Sequence, residues 1–224
     1  MDSIKRHIGF RFLLALLVMA GITALVPGIF GSYWTIVALN LAMWIALTQS
    51  WTVFSGMTGY VSLGHVVFYG VGAYVVAATF KTLPVWVSVP LGGLVAALLA
   101  LIVAAPVLRV RGPYFVILTF GLAELVKFSI LYLETAIGKS SRLIFGAPSI
   151  ETLLYCMIAL AVIAAVITRL VERSRFGRGL IAIRDDETTA ETVGVPVVRY
   201  KVTAFTLSAI IPGMAGGLMA LKST

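Results

Sequence analysis

A chain of 224 residues that is 60% hydrophobic and 12% charged has too few polar side chains to clothe a water-facing globule, so lipid is its expected solvent. Its net charge of +8 does not read as a nucleic-acid footprint, because the Lys and Arg residues cluster beside apolar runs with little aromatic interleaving. The single cysteine, Cys156, lies inside an apolar run, which excludes an intrachain disulfide and suggests no Cys-based metal site.

At the start of the chain, Lys5, Arg6 and Arg11 lead into an apolar run over 13–26. The run resembles a secretory signal but is long and lacks a small-x-small cleavage site, so it is read as a retained first span. Hydropathy places about seven transmembrane helices, near 10–30, 33–54, 62–80, 85–107, 114–133, 150–170 and 200–221. Runs of roughly 18 to 22 apolar residues, at about 1.5 Å each, match a hydrocarbon core about 30 Å thick. The expected fold is an all-α polytopic bundle forming one domain over 1–224. Pro84 and Pro113 suit the short turns at 81–84 and 108–113. Lys222, Ser223 and Thr224 follow the last span with no tail, as in a fragment or a naturally short version.

With the N-terminus placed in the cytoplasm, the inner segments collect Lys5, Arg6, Arg11, Arg109, Arg111, Arg169, Arg173, Arg175, Arg178, Arg184, Arg199 and Lys201. The outer ones hold Lys81, Lys139, Arg142 and Lys222, and Lys127 falls within a span. That bias follows the positive-inside rule.

The stretch 56–65 is rich in glycine and hydroxyls just ahead of the third span. Broken backbone is tolerated at membrane depth only where protein or a water-filled cavity satisfies it, so Gly59, Ser62, Gly64, His65 and Tyr69 are candidate pathway-lining residues. Ser62, His65, Tyr69 and Gly72 recur at helical spacing and should face inward. His65 either meets substrate or is a structural histidine satisfied by a neighbouring helix. Gly70, Gly72, Gly213 and Gly217 read as close-packing positions. Three residues apart on the fifth span, Glu124 and Lys127 are placed to pair. Such a pair either holds the bundle together or meets the ammonium and carboxylate of a zwitterion. His7 is the only other histidine, and metal binding is not expected.

Between the sixth and seventh spans, 174–196 is too polar to span and well punctuated. It reads as a short helix: Asp185 or Asp186 can cap it, Glu187 sits in its first turn, Gly194 can close it and Pro196 prevents continuation. Ala190 and Val193 would form a small apolar face. A capped helix behind an arginine-rich arm either docks in a partner's groove or is a solvated loop whose arginines fix topology.

The run Arg175-Phe176-Gly177-Arg178-Gly179-Leu180, followed by Ala182-Ile183-Arg184-Asp185-Asp186-Glu187, Ala190-Glu191 and Gly194, resembles the coupling loop of branched-chain amino acid ABC transporter permeases of the M type. Gly56-Met57-Thr58-Gly59-Tyr60-Val61-Ser62-Leu63-Gly64-His65, running into Phe68 and Gly70-Val71-Gly72-Ala73-Tyr74, is similar to that family's glycine-rich signature. Leu108-Arg109-Val110-Arg111-Gly112-Pro113-Tyr114-Phe115, with Ala123-Glu124 beyond, is a third match in family order. Two departures are Tyr60, where the family usually carries Gln, and the absence of the spans that normally follow the seventh.

The resemblance implies a multi-pass permease of the bacterial inner membrane, not an enzyme. A second permease subunit would complete the pathway, two cytoplasmic ATPase subunits would drive it, and a periplasmic binding protein would deliver substrate. Coupling to the ATPases would fall to Phe176, Arg178, Arg184, Asp185, Glu187, Glu191 and Gly194. No phosphate-cradling Gly-x-x-x-x-Gly-Lys-Ser/Thr loop occurs in the sequence, so no cofactor is expected and ATP belongs to the partners. Rival readings are a related permease for urea, short amides, sugars or nucleosides, and a membrane-embedded enzyme using His65 and Glu124.

Overall fold

The computed structural model describes residues 2–110, 112–136 and 148–222. Arg111, Lys139 and Arg142, counted above for topology, lie outside the described residues, as do the side chains of Lys5, Arg6, His7 and Arg11. The helices are α1 (Asp2–Trp51), α2 (His65–Thr79), α3 (Val85–Val107), α4 (Pro113–Ala136), α5 (Ile150–Arg173), α6 (Arg175–Asp185), α7 (Glu187–Thr192) and α8 (Val197–Ala220). No strand occurs among the described residues, and the chain is an all-α membrane bundle.

Gly31, at φ 76°, divides α1 into two helices across a kink, a conformation glycine reaches without a Cβ penalty. The break falls where the first and second expected spans meet. Beyond α1 a π-helical turn, Thr52–Gly56, carries the chain out of the helix.

Among the described residues, five helices are long and apolar enough to cross a membrane by length and composition: Gly31–Gly56, α3, α4, α5 and α8. The other two expected spans correspond to shorter apolar helices, Val18–Gly28 and α2. The third span was placed at 62–80, but regular helix begins only at His65. Its 15 residues reach about 22 Å at 1.5 Å per residue, short of a hydrocarbon core about 30 Å thick.

At the centre, α8 packs against α2, α3, α1 and α5. Lipid tails give no hydrophobic drive between helices, so close contact depends on small residues. A Cβ on Gly72 would run into the carbonyl of Gly213, and one on Gly216 into the carbonyl of Tyr69. Gly217 closes on Val76 in the same way. Gly70 differs from its expected packing role, for a Cβ there would meet open space.

Two apolar cores result. One joins Leu39, Met43, Leu154, Met157 and Leu218; the other, nearer the loops, joins Phe54, Phe68, Phe115, Leu180, Ile183 and Phe205. Large apolar side chains such as Trp44, Leu94, Ile102, Phe120 and Phe128 stay exposed around the outside, as a lipid-facing surface requires. The least covered span is α4, with 6% of its apolar window buried.

Candidate functional site

The polar segment 174–196 folds as two helices, not as the one helix expected behind the arginine-rich arm. Ser174 caps α6 by accepting from the Gly177 amide at 3.0 Å. Asp186, extended at φ −159°, ends α6 and caps α7, accepting from the Thr189 amide at 2.9 Å and the Thr188 hydroxyl at 2.6 Å. The Thr188 hydroxyl foremost, then the Thr189 amide, holds the Asp186 carboxyl below its usual range. Gly194 at φ 87° turns the chain out of α7, and Pro196 leads into α8.

The arginine-rich arm is helical because its apolar residues repeat every three or four positions. Leu180 and Ile183 are fully buried while Arg178, Arg184 and Asp185 are exposed. Gly177 and Gly179 let α6 press against the Val171 carbonyl and the Tyr200 ring, and Phe176 packs on Tyr200 at 4.9 Å. Ala190 in α7 is buried, but Val193, just past its end, is 74% exposed and belongs to no packed face. The six-residue helix has room for one inward row, which Ala190 and Glu187 occupy.

Opposite this pair lies the glycine-rich turn, irregular over 59–64. Non-helical backbone buried in protein needs side-chain partners, and the hydroxyls of the motif supply them. Ser55 Oγ accepts from the Ser62 amide at 3.2 Å, Ser62 Oγ from the Gly64 amide at 3.3 Å, and Thr58 Oγ1 from the Tyr60 amide at 3.3 Å. The Trp51 indole donates to the Ser62 carbonyl at 3.0 Å, and Thr119 Oγ1 on α4 accepts from the Leu63 amide at 3.2 Å. Tyr60 stacks edge-on against Phe115 at 5.2 Å, which brings the third motif to the same end of the bundle.

Two side chains from 174–196 reach this turn. Arg184 lays its Cγ over Gly59, where a Cβ would sit at 2.8 Å, and Nη1 donates to the Gly56 carbonyl at 3.4 Å. Glu187 accepts from the Tyr60 hydroxyl at 2.6 Å and from Lys201 Nζ at 2.7 Å. Lys201, on α8, is 2% exposed.

The candidate residues therefore divide by environment. Arg178, Asp185, Glu191 and Gly194 are exposed, and Arg184 is exposed while leaning on the turn. Phe176 and Glu187 turn inward. Among the pathway candidates Gly59 is exposed, Ser62, Gly64 and His65 are buried, and Tyr69 donates to Met43 Sδ at 3.7 Å.

His65 is enclosed by Phe54, Phe68 and Phe205, with Nε2 at 3.0 Å from Ser208 Oγ on α8. The Ser208 hydroxyl also lies 2.9 Å from the Phe205 carbonyl, to which it can donate. Lys127 and Glu124 pair at 3.2 Å, with side chains 59% and 41% exposed on the outer side of α4. A groove of about 680 Å³ along α1 and α5, lined almost wholly by apolar side chains such as Met19, Leu41 and Ile158, shares no residue with this site. Among the described residues no cluster of three His, Cys, Asp or Glu could hold a metal ion.

Sequence reasoning did not bring Lys201 and Tyr60 together with Glu187. Lys201 counted only toward topology, and its 14-residue separation from Glu187 matches no local period. A tyrosine in place of the family's usual glutamine was the one signal available.

These features define a multi-pass membrane protein whose polar segments gather at one end around a docked pair of short helices. Residues 33–224 match the family described as branched-chain amino acid transport system / permease component, and the chain belongs to that family. It is similar to the high-affinity branched-chain amino acid transport system permease proteins LivM of Salmonella typhimurium and Escherichia coli. Each is 30% identical over 221 residues, covering 83% of this chain and 52% of the relative. The chain thus spans about half the length of these curated relatives. The L-arabinose transport system permease protein AraH of Escherichia coli is 40% identical over 55 residues, 25% of this chain and 17% of the relative. No solved structure matches the chain. The family and these relatives are transport permeases, not enzymes.

Proposed function

We propose that this chain serves as a membrane-spanning permease subunit of a bacterial ABC importer in the inner membrane. Its cargo on this reading is branched-chain or other hydrophobic amino acids, moved by alternating access that partner ATPases drive. The observation that carries the reading is the α6–α7 pair. It is individually capped, anchored through Leu180, Ile183 and Ala190, and leaves Arg178, Asp185 and Glu191 exposed. Short helices fixed on the bundle with charged outer faces suit docking into a groove on another protein. A solvated loop would need neither the caps nor the buried row.

On this reading the end bearing 59–64 and α6–α7 is cytoplasmic, in keeping with the arginines at 169, 173, 175, 178, 184 and 199. The partners are a second permease subunit, two cytoplasmic ATPase subunits and a periplasmic binding protein. Glu124 and Lys127 could meet a zwitterion only if the second subunit brings the outer side of α4 to a shared pathway. Ser62, Gly64 and His65 support that pathway from within the packed bundle.

Recovery of the tagged chain from mild detergent tests the reading. ATPase subunits should copurify, and their recovery should fall when Arg178, Asp185 and Glu191 are replaced together. Recovery of no ATPase subunit overturns it. The local likeness to an arabinose permease favours a second reading in which the architecture holds and the cargo is a sugar. Uptake of labelled leucine against labelled arabinose and urea, with matching binding proteins, separates the two.

A further inference from the structure

Glu187 lies in the segment assigned to partner contact, yet its carboxylate is spent inside the chain. Oε2 accepts from Tyr60 and Oε1 from Lys201, whose Nζ also lies 3.4 Å from the Tyr60 oxygen and 4.8 Å from its ring centre. Glu187 keeps 14% of its side-chain surface exposed and Lys201 3%. An ion pair withdrawn from water persists only where geometry and extra hydrogen bonds repay desolvation, and Tyr60 supplies both a donor and a ring face. The three groups thus tie the first turn of α7 to α8 and to the glycine-rich turn.

The turn is itself a junction. Trp51 joins it to α1 and Thr119 to α4, while Arg184 presses on it from α6. A helix of six residues has little stability of its own, so α7 must move with whatever holds it. Its Glu187 carboxylate bonds both α8 and the turn.

We propose that Tyr60, Glu187 and Lys201 form an internal link that carries movement of α7 into the 59–64 turn and from there to α1, α4 and α8. These are positioning residues, acting through the turn and not by touching an ATPase. The proposal rests on the reading of 174–196 as the ATPase-docking segment and reassigns Glu187 within it. Because α6 keeps its own anchors in Leu180, Ile183 and Phe176, breaking the link should leave docking intact and impair transmission.

The test uses the whole transporter, with its ATPase subunits and leucine-charged binding protein, in proteoliposomes. Leucine transported and ATP hydrolysed are both counted for the unaltered complex, Glu187→Gln, Tyr60→Phe and the exchange Glu187→Lys with Lys201→Glu. Glu187→Gln should still recover ATPase subunits but move about fivefold less leucine per ATP, the lower end of coupling between linked sites. Tyr60→Phe, which keeps the ring and removes only the hydroxyl, should shift the same ratio less, and the exchange should restore part of it. If leucine per ATP is unchanged in Glu187→Gln and Tyr60→Phe while the complex stays intact, the link is only structural and the proposal is overturned. Should Glu187→Gln fail to fold, Tyr60→Phe decides alone by the same ratio. Failure of the unaltered chain to recover any ATPase overturns the functional reading itself, a result visible before any variant is made.

Discussion

The Ser50 hydroxyl on α1 donates to the Ser208 carbonyl on α8 at 2.8 Å, and Ser208 stands four residues before Pro212. Proline has no N–H, so the Ser208 carbonyl lacks the donor an unbroken helix would give it, and a neighbouring serine takes that place. Ser50→Ala should therefore cost about 1 kcal/mol in stability, the scale of an interhelical hydrogen bond in a membrane. In a Pro212→Ala background the restored amide should make Ser50→Ala close to neutral. Thermal unfolding of all four combinations in detergent measures the coupling, and equal costs in both backgrounds would refute the assignment.

Gly72 and Gly70 offer a matched pair on one helix. Gly72→Ala places a methyl group against the Gly213 backbone, which cannot yield as a side chain can, whereas Gly70→Ala points into open space. The first should lower stability by about 1–3 kcal/mol or more, the usual cost of overpacking. The second should be neutral or slightly stabilising as glycine freedom is lost. Detergent melting curves should separate them clearly; similar midpoints would mean that α2 and α8 do not approach as closely as described.

The long apolar runs and the capping residues around Asp186, Gly194 and Pro196 act locally, and they were readable from order and spacing alone. Contacts between distant segments were not. Lys201 bonds Glu187 across a turn, and Ser208 meets His65 from another helix, so neither partner lies at a periodic offset. The inward stripe of Ser62, His65, Tyr69 and Gly72 was visible, but the helix bearing it starts at His65. Hydroxyls that satisfy the irregular 59–64 backbone give no hydropathy signal. The first helix of 174–196, α6, was hidden because Arg178 and Arg184 dominate its composition, although Leu180 and Ile183 bury its inner face.

Asp186 makes the stability of α7 depend on acid. Its carboxyl pKa is lowered in the folded chain by the Thr188 hydroxyl and the Thr189 amide, so the cap contributes fully above the unfolded value of 3.8 and is lost as pH falls through the lower folded value. Asp186→Asn keeps a capping oxygen that does not titrate, and Asp186→Ala has none. Hydrogen exchange at Thr189, compared between variants at matched pH, should place Asp186→Ala below the unaltered chain at pH 7. Asp186→Asn should hold its protection at pH 3 while the unaltered chain loses some. Protection that is the same for all three at both values would remove the cap from the account.

Glu124 and Lys127 should behave as one unit in the membrane. A lone charge at bilayer depth costs about 2.5–3.5 kcal/mol on insertion scales, and the pair at 3.2 Å offsets part of that on the outer side of α4. Glu124→Leu or Lys127→Leu alone leaves one charge uncompensated, so each should reduce folded protein in the membrane. Replacing both removes the charge altogether and should restore the amount, since an ion pair exchanged for apolar side chains is often neutral or stabilising. Membrane abundance by fluorescent fusion measures folding, and leucine uptake measured beside it distinguishes two roles. Full abundance with full uptake in the double variant makes the pair a structural element of α4. Full abundance with uptake lost places it where substrate passes, which requires a second subunit to enclose that face.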